Sequence, residues 1–123
     1  MRKIEEQMCD AVVLPKDWRS GNTSVHSTDR GVLVRLFGNL IAQVQYDTQE
    51  VWVTDATWQT ATTKSRLNAL LFHLCHGSSI FQKRGDWFLV VAGSCRCQLM
   101  EPGVKYAVPI VHSHNPAPFG ANA

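Results

Sequence analysis

Between Thr23 and Thr54 the apolar residues recur at every second position, in short runs broken by turn-forming residues. Val32, Val34 and Leu36 alternate with Leu33, Arg35 and Phe37, and Leu40–Tyr46 alternates again after Gly38-Asn39. A period of two sends successive side chains to opposite faces of a strand, so each run offers one face to a core and one to solvent. Asp29-Arg30-Gly31 precedes the first run, and Asp47-Thr48-Gln49-Glu50 separates the second from Val51-Trp52-Val53-Thr54. Connections this short permit only antiparallel neighbours, and they predict a meander of three or four strands. A chain with this block at its centre cannot be an all-helical bundle.

Two segments on either side of the meander switch to a helical period. In residues 2–13, Ile4, Met8, Ala11 and Val12 fall on one face, Glu5, Glu6 and Asp10 elsewhere, and Pro15 stops the helix. Over residues 62–75, Leu67, Leu70, Leu71 and Leu74 form the stripe to be buried, with Gly77 at the stop. Thr62 or Thr63 is expected to cap its start, with Lys64 and Arg66 projecting from the first turn. Cations there oppose the helix dipole, which raises the question of what they contact. Lys16–Asn22 reads as turn. Arg84-Gly85-Asp86 reads as the turn of a hairpin between Ser79–Lys83 and Trp87–Val91, and Glu101-Pro102-Gly103 as that of a second between Cys95–Met100 and Val104–Val111. The expectation is one α+β domain over residues 1–114, with an antiparallel sheet of about five to seven strands and two helices. Residues 115–123 read as a flexible C-terminal tail.

Length and composition agree with one folded domain: 123 residues, 45% hydrophobic and 18% charged. No apolar run is long enough to span a membrane. The start, Met1-Arg2-Lys3-Ile4-Glu5-Glu6, lacks the apolar stretch of a secretory leader. An intracellular chain follows, its four cysteines reduced thiols or ligands. The net charge of +2 is small, but residues 1–55 hold six Lys/Arg against eight Asp/Glu, and residues 56–123 six against two. The basic C-terminal half suits phosphates or an acidic partner as well as an ordinary solvated surface.

Several segments occur together in a recognisable order: Arg2-Lys-Ile-Glu-Glu-Gln-Met8, Lys16-Asp-Trp18 with Asn22-Thr23, and Leu36-Phe-Gly-Asn-Leu-Ile-Ala42. Trp58-Gln-Thr60, Thr62-Thr-Lys-Ser-Arg-Leu-Asn-Ala-Leu70 and Gln82-Lys-Arg-Gly-Asp-Trp-Phe88 follow. In these the chain resembles a family of small, uncharacterised bacteriophage proteins over roughly residues 1–90. The Thr-Thr-Lys-Ser-Arg-Leu element is the most specific part. The resemblance implies a phage or prophage origin, a compact domain and residence in the cytoplasm of the infected bacterial host. It transfers no catalytic residue. The segment from Cys95 to Ala123 departs from that family's short ending.

Four kinds of chemistry are open to these residues. A structural zinc site would draw four N or S donors from His73, His76, Cys95, Cys97, His112 and His114, with Cys75 nearby. His73 and His76 are expected near a polar helix face shared with Arg66. The spacing lacks a CxxC knuckle, and small core cysteines with solvated histidines are the plainer reading; no other cofactor is implied. No signature frames a nucleophilic cysteine, no catalytic carboxylate pair stands out, and no glycine-rich phosphate loop occurs, so an enzyme is not expected. Direct nucleic-acid binding would use Lys64, Arg66, Lys83, Arg84 and Arg96 beside Trp58, Trp87 and Phe88, with Thr60, Thr62 and Thr63 on phosphates. Protein binding would use anchors such as Trp18, Trp52, Arg66, Arg84 and Phe119, and an edge strand could pair with a partner or make a homodimer.

The reading adopted is a non-catalytic phage protein that binds and inhibits a host macromolecule. Its most concrete form is a bacterial defence protein, in the manner of an anti-CRISPR, or another nucleic-acid-handling protein. The expected contact surface is Trp58, Thr62, Thr63, Lys64, Arg66, Lys83 and Arg84. Direct DNA or RNA binding through the same basic face is the alternative, and a zinc-stabilised domain the third reading. No membrane partner is expected.

Overall fold

A computed structural model of the chain describes residues 2–94 and 97–111. Helix α1 (Lys3–Val13) is followed by five strands, β1 (Trp18–Ser20), β2 (Thr23–Ser27), β3 (Gly31–Leu36), β4 (Asn39–Gln45) and β5 (Glu50–Val53). Helix α2 (Ala61–Leu74) then leads to β6 (Ser79–Lys83), β7 (Asp86–Val90), β8 (Cys97–Leu99) and β9 (Tyr106–Pro109). The strands form a six-stranded sheet in the order β1-β2-β3-β4-β5-β9 and a three-stranded sheet in the order β6-β7-β8. Every pairing within them is antiparallel. The α+β class read from the alternation is what forms. The larger sheet has six strands, within the five to seven expected of one antiparallel sheet; three further strands form a sheet of their own, and Trp18–Ser20, read as turn, pairs as edge strand β1.

The turns carry the chemistry that antiparallel strands need. Phe37-Gly38 and Arg84-Gly85 are two-residue turns in which both residues have positive φ. That geometry matches the twist of the strands they join. At Gly31 a Cβ would lie 1.7 Å from the Val44 carbonyl oxygen, so only glycine lets β3 and β4 approach there. The second hairpin expected around Glu101-Pro102-Gly103 does not form. Strand β8 pairs with β7, whereas β9 pairs with β5 at the far edge of the larger sheet. The inward row of β5, Val51 and Val53, needs apolar neighbours, and Val108 and Tyr106 supply them.

One core serves both sheets and both helices. It contains Met8 and Val12 of α1, Val32, Val34, Val44 and Val51 of the larger sheet, Leu67, Leu70, Leu71 and Leu74 of α2, and Trp87 and Leu89 of the smaller sheet. Trp87, 1% exposed, is its largest member. The leucine stripe of α2 is buried as its period required. On α1, Met8, Ala11 and Val12 are buried, but so is Glu5, expected off their face. No described helix is long and apolar enough to cross a membrane. Residues 115–123, expected as a tail, lie outside the described residues.

Candidate functional site

Three connections meet at one end of the larger sheet: the β1–β2 turn at Gly21-Asn22, the β3–β4 turn at Phe37-Gly38, and the loop from Thr54 to Thr60 that enters α2. The Phe37 amide donates to the Asn22 carbonyl at 2.7 Å and the Thr54 amide to the Ile41 carbonyl at 2.9 Å. The β3–β4 register shifts between Val34 and Arg35, which leaves Ile41 as the extra residue of a bulge. Bulges of this kind re-aim side chains at the rim of a sheet. Here Ile41 joins Leu36, Ala56 and Thr63 in lining a cleft of about 320 Å³. Phe37 and Trp58, 72% and 63% exposed, stand at it.

A buried carboxylate fixes the loop beside this cleft. Asp55 is 1% exposed. Its Oδ1 accepts from the Thr57 and Gly103 amides, each at 2.8 Å, and its Oδ2 from Gln59 Nε2 at 3.0 Å. Ala56 and Thr57 are both held at positive φ, 54° and 71°. For a β-branched threonine that region costs on the order of 1–3 kcal/mol, and it persists only where surrounding bonds over-determine it. The hydrogen bonds to Asp55 do so, and the strained pair delivers Trp58 to solvent directly afterwards.

A second groove adjoins the first. Arg19, Ser24 and Arg35 are register partners across β1, β2 and β3, and so share one face of the sheet. With Asn22, Phe37 and Gly38 they line a groove of about 380 Å³, and Phe37 borders both concavities. The ion pairs among the described residues are Glu5–Arg66 and Asp17–His26. The guanidiniums of Arg19 and Arg35 therefore have no acidic partner among them. Asp17, at the start of β1, is engaged by the His26 ring and the Ser27 amide.

The residues expected to form one contact surface are divided by the fold. Trp58 and Thr63 line the cleft, Thr63 as a buried member. The cap of α2 is Thr60, whose hydroxyl accepts from the Thr63 amide at 3.2 Å; neither Thr62 nor Thr63 plays that part. Thr62 is half-buried. Lys64 donates from Nζ to Gln82 Oε1 at 3.2 Å, tying α2 to β6, while Lys83 and Arg84 are exposed at the β6–β7 turn. Arg66 is the clear correction. It is 4% exposed, and its Nη1 donates to Glu5 Oε2 at 2.8 Å and its Nε to Thr23 Oγ1 at 3.1 Å. Ser65 Oγ donates to the same Glu5 oxygen. Arg66 thus shares no open face with His73 and His76; it ties α2 to α1 and β2.

Of the residues considered for metal, His73, His76 and Cys97 are exposed, and Cys95, His112 and His114 lie outside the described residues. Among the described residues no group of three or more His, Cys, Asp or Glu side chains is placed to hold a metal ion. The Cys9 thiol is pushed up to about 12 by burial and then by the charges of Glu5 and Asp10, and burial alone does the same for Cys75. Both are protonated at neutral pH, the state of an inert thiol.

Sequence reading found Trp58 but missed Phe37, Asp55, Arg19 and Arg35 as site residues. Phe37 alternates like a strand residue, and its exposure follows from a turn one position earlier than Gly38-Asn39 suggested. Arg19 and Arg35 become neighbours only once the register of three strands is known.

Fold and site define an α+β domain of two antiparallel sheets with an aromatic cleft at one end of the larger. The sequence profile of the Kyanoviridae Gp96 protein family matches residues 1–102. The chain belongs to that family, a bacteriophage protein family. No curated protein and no solved structure matches it. The matched span includes every cleft residue and both groove arginines, and ends before β9.

Proposed function

We propose that this phage protein acts by binding and not by catalysis, docking a host macromolecule at the Phe37–Trp58 cleft and blocking its action. A bacterial defence component or another part of the host's nucleic-acid machinery is the target this reading favours. The observation that carries it is the pair of large aromatic side chains held out to solvent beside an apolar cleft, Trp58 on backbone fixed by Asp55 and Phe37 on a tight turn bonded to Asn22. Exposed aromatics on a rigid base lose little freedom on binding and bury much area, as interface anchors do. Neither Cys9 nor Cys75, whose thiols are raised by burial, offers an activated nucleophile. A basic face running through Thr62–Arg66 to Lys83–Arg84 is a weaker surface, because Arg66 is committed to Glu5.

The test is affinity capture from infected-host lysate, with and without nuclease, by the wild type and by a Phe37→Ala/Trp58→Ala variant. A host macromolecule recovered by the wild type and reduced at least ~10-fold in the variant supports the cleft. Equal recovery by both proteins contradicts it.

A further inference from the structure

We infer that the cleft and the arginine groove together form one site for a short single-stranded nucleic-acid segment, with a base in the cleft and the adjoining phosphate in the groove. This deepens the proposed function and rests on its reading of the cleft as a binding site. The shared wall is Phe37, which lines both concavities, so a ligand in one meets the other across a single side chain.

The groove has the chemistry of a phosphate site. Arg19 and Arg35 are two strands apart, about 10 Å between backbones, with the Ser24 hydroxyl between them. Guanidinium presents its donors in a planar fork that suits phosphate oxygens, and among the described residues neither fork is occupied by a carboxylate. Asn22 adds an amide at the same end. Leaving two such cations without partners on one face of a sheet brings no stability, and an anionic ligand would give them a role.

The cleft has the chemistry of a base site. Leu36, Ile41 and Ala56 are apolar, Phe37 and Trp58 offer faces for stacking, and Asn39 offers polar groups to a base edge. Asp55 is the acidic group lining it, and hydrogen-bond donors from Thr57, Gln59 and Gly103 engage both of its oxygens. A single strand is favoured over a duplex because only an unpaired base can leave its neighbours and enter a cleft. An acidic peptide with an aromatic residue is the rival occupant, and the experiment separates the two.

The experiment titrates a labelled oligothymidylate about 12 nucleotides long into the full-length protein, with a duplex of the same length as competitor. The inference expects saturable binding, quenching of Trp58 emission that Trp58→Phe removes, and poor competition by duplex. Phe37→Ala should weaken binding about 10-fold or more, as loss of one stacking surface does. Arg19→Gln/Arg35→Gln should lower the slope of log Kd against log salt by about 0.7, the value for the one phosphate held in the groove. Circular dichroism and thermal melting confirm that each variant folds. Two results overturn the inference: no binding at low salt, or binding indifferent to Phe37, Arg19 and Arg35. If the oligonucleotide fails while a nuclease-resistant host protein is still captured in a Phe37- and Trp58-dependent way, the nucleic-acid assignment falls and the cleft stands. If that capture also fails, both fall.

Discussion

At the seam between α1 and α2, Arg66 directs its guanidinium to Glu5, Thr23 and Asn22, within hydrogen-bond distance of each and out of water. At the end of the larger sheet, Arg19 and Arg35 flank Ser24 with no carboxylate among the described residues to meet them. The same residue type does opposite work in the two regions. A buried guanidinium with every neighbour satisfied fixes how two helices and a strand sit together. An unpaired guanidinium beside an exposed aromatic contributes little to the fold and keeps its donors for something else. Charge along the sequence therefore says less about a contact surface than pairing in the fold does.

The sharpest way to break this comparison is to remove Glu5. Glu5→Ala leaves the Arg66 charge buried and unpaired, and should cost about 3–5 kcal/mol by urea denaturation. Arg19→Gln or Arg35→Gln should move stability by no more than about 0.5 kcal/mol. Similar losses in both regions would mean that the distinction between scaffold and site is wrong.

A smaller effect is expected at Asp55, which belongs to the site but is as buried as the seam. Asp55→Ala leaves the Thr57 and Gly103 amides without their acceptor, a loss of about 1–3 kcal/mol. It should also free Ala56 and Thr57 to leave positive φ, so that quenching of Trp58 by acrylamide changes while that of Trp87 does not. Single-tryptophan backgrounds separate the two signals.

A separate effect, independent of these substitutions, is alkaline. Cys9 and Cys75 are raised from 9.0 to about 12, so the unfolded chain releases these protons at lower pH than the folded one. Their contribution to stability is complete below pH 9 and is lost as pH rises from there toward 12. Chemical denaturation in steps across that window should show the decline. Iodoacetamide at neutral pH should modify exposed Cys97 well before either buried thiol.

Much of the fold was legible because its signals are local. The period of two in β3 and β4, the leucine stripe of α2 and the glycine of the β6–β7 turn each follow from a few adjacent residues. What was not legible depends on distant pairing. The partner of β9 is β5, more than fifty residues earlier, and a turn at Glu101-Pro102-Gly103 carries no signal that distinguishes a hairpin from a crossing between sheets. Glu5 and Arg66 read as solvent-facing charges because each is polar at its own position, and burial becomes affordable only when the other arrives from 61 residues away. The site was half visible for the same reason. Trp58 stands out in any reading, whereas Phe37 and the two groove arginines gain meaning from strand register.

The most direct test of the central claim places a photo-crosslinking p-benzoylphenylalanine at position 37, and in a second protein at position 81 on the smaller sheet, in infected cells. Phe81 is also exposed, and it stacks on Phe88 at a ring separation of 5.3 Å, far from the loops that form the cleft in sequence. Irradiation should give a discrete adduct with a host macromolecule from position 37 and none from position 81. Adducts from position 81 alone would contradict the account and move the binding surface to the smaller sheet.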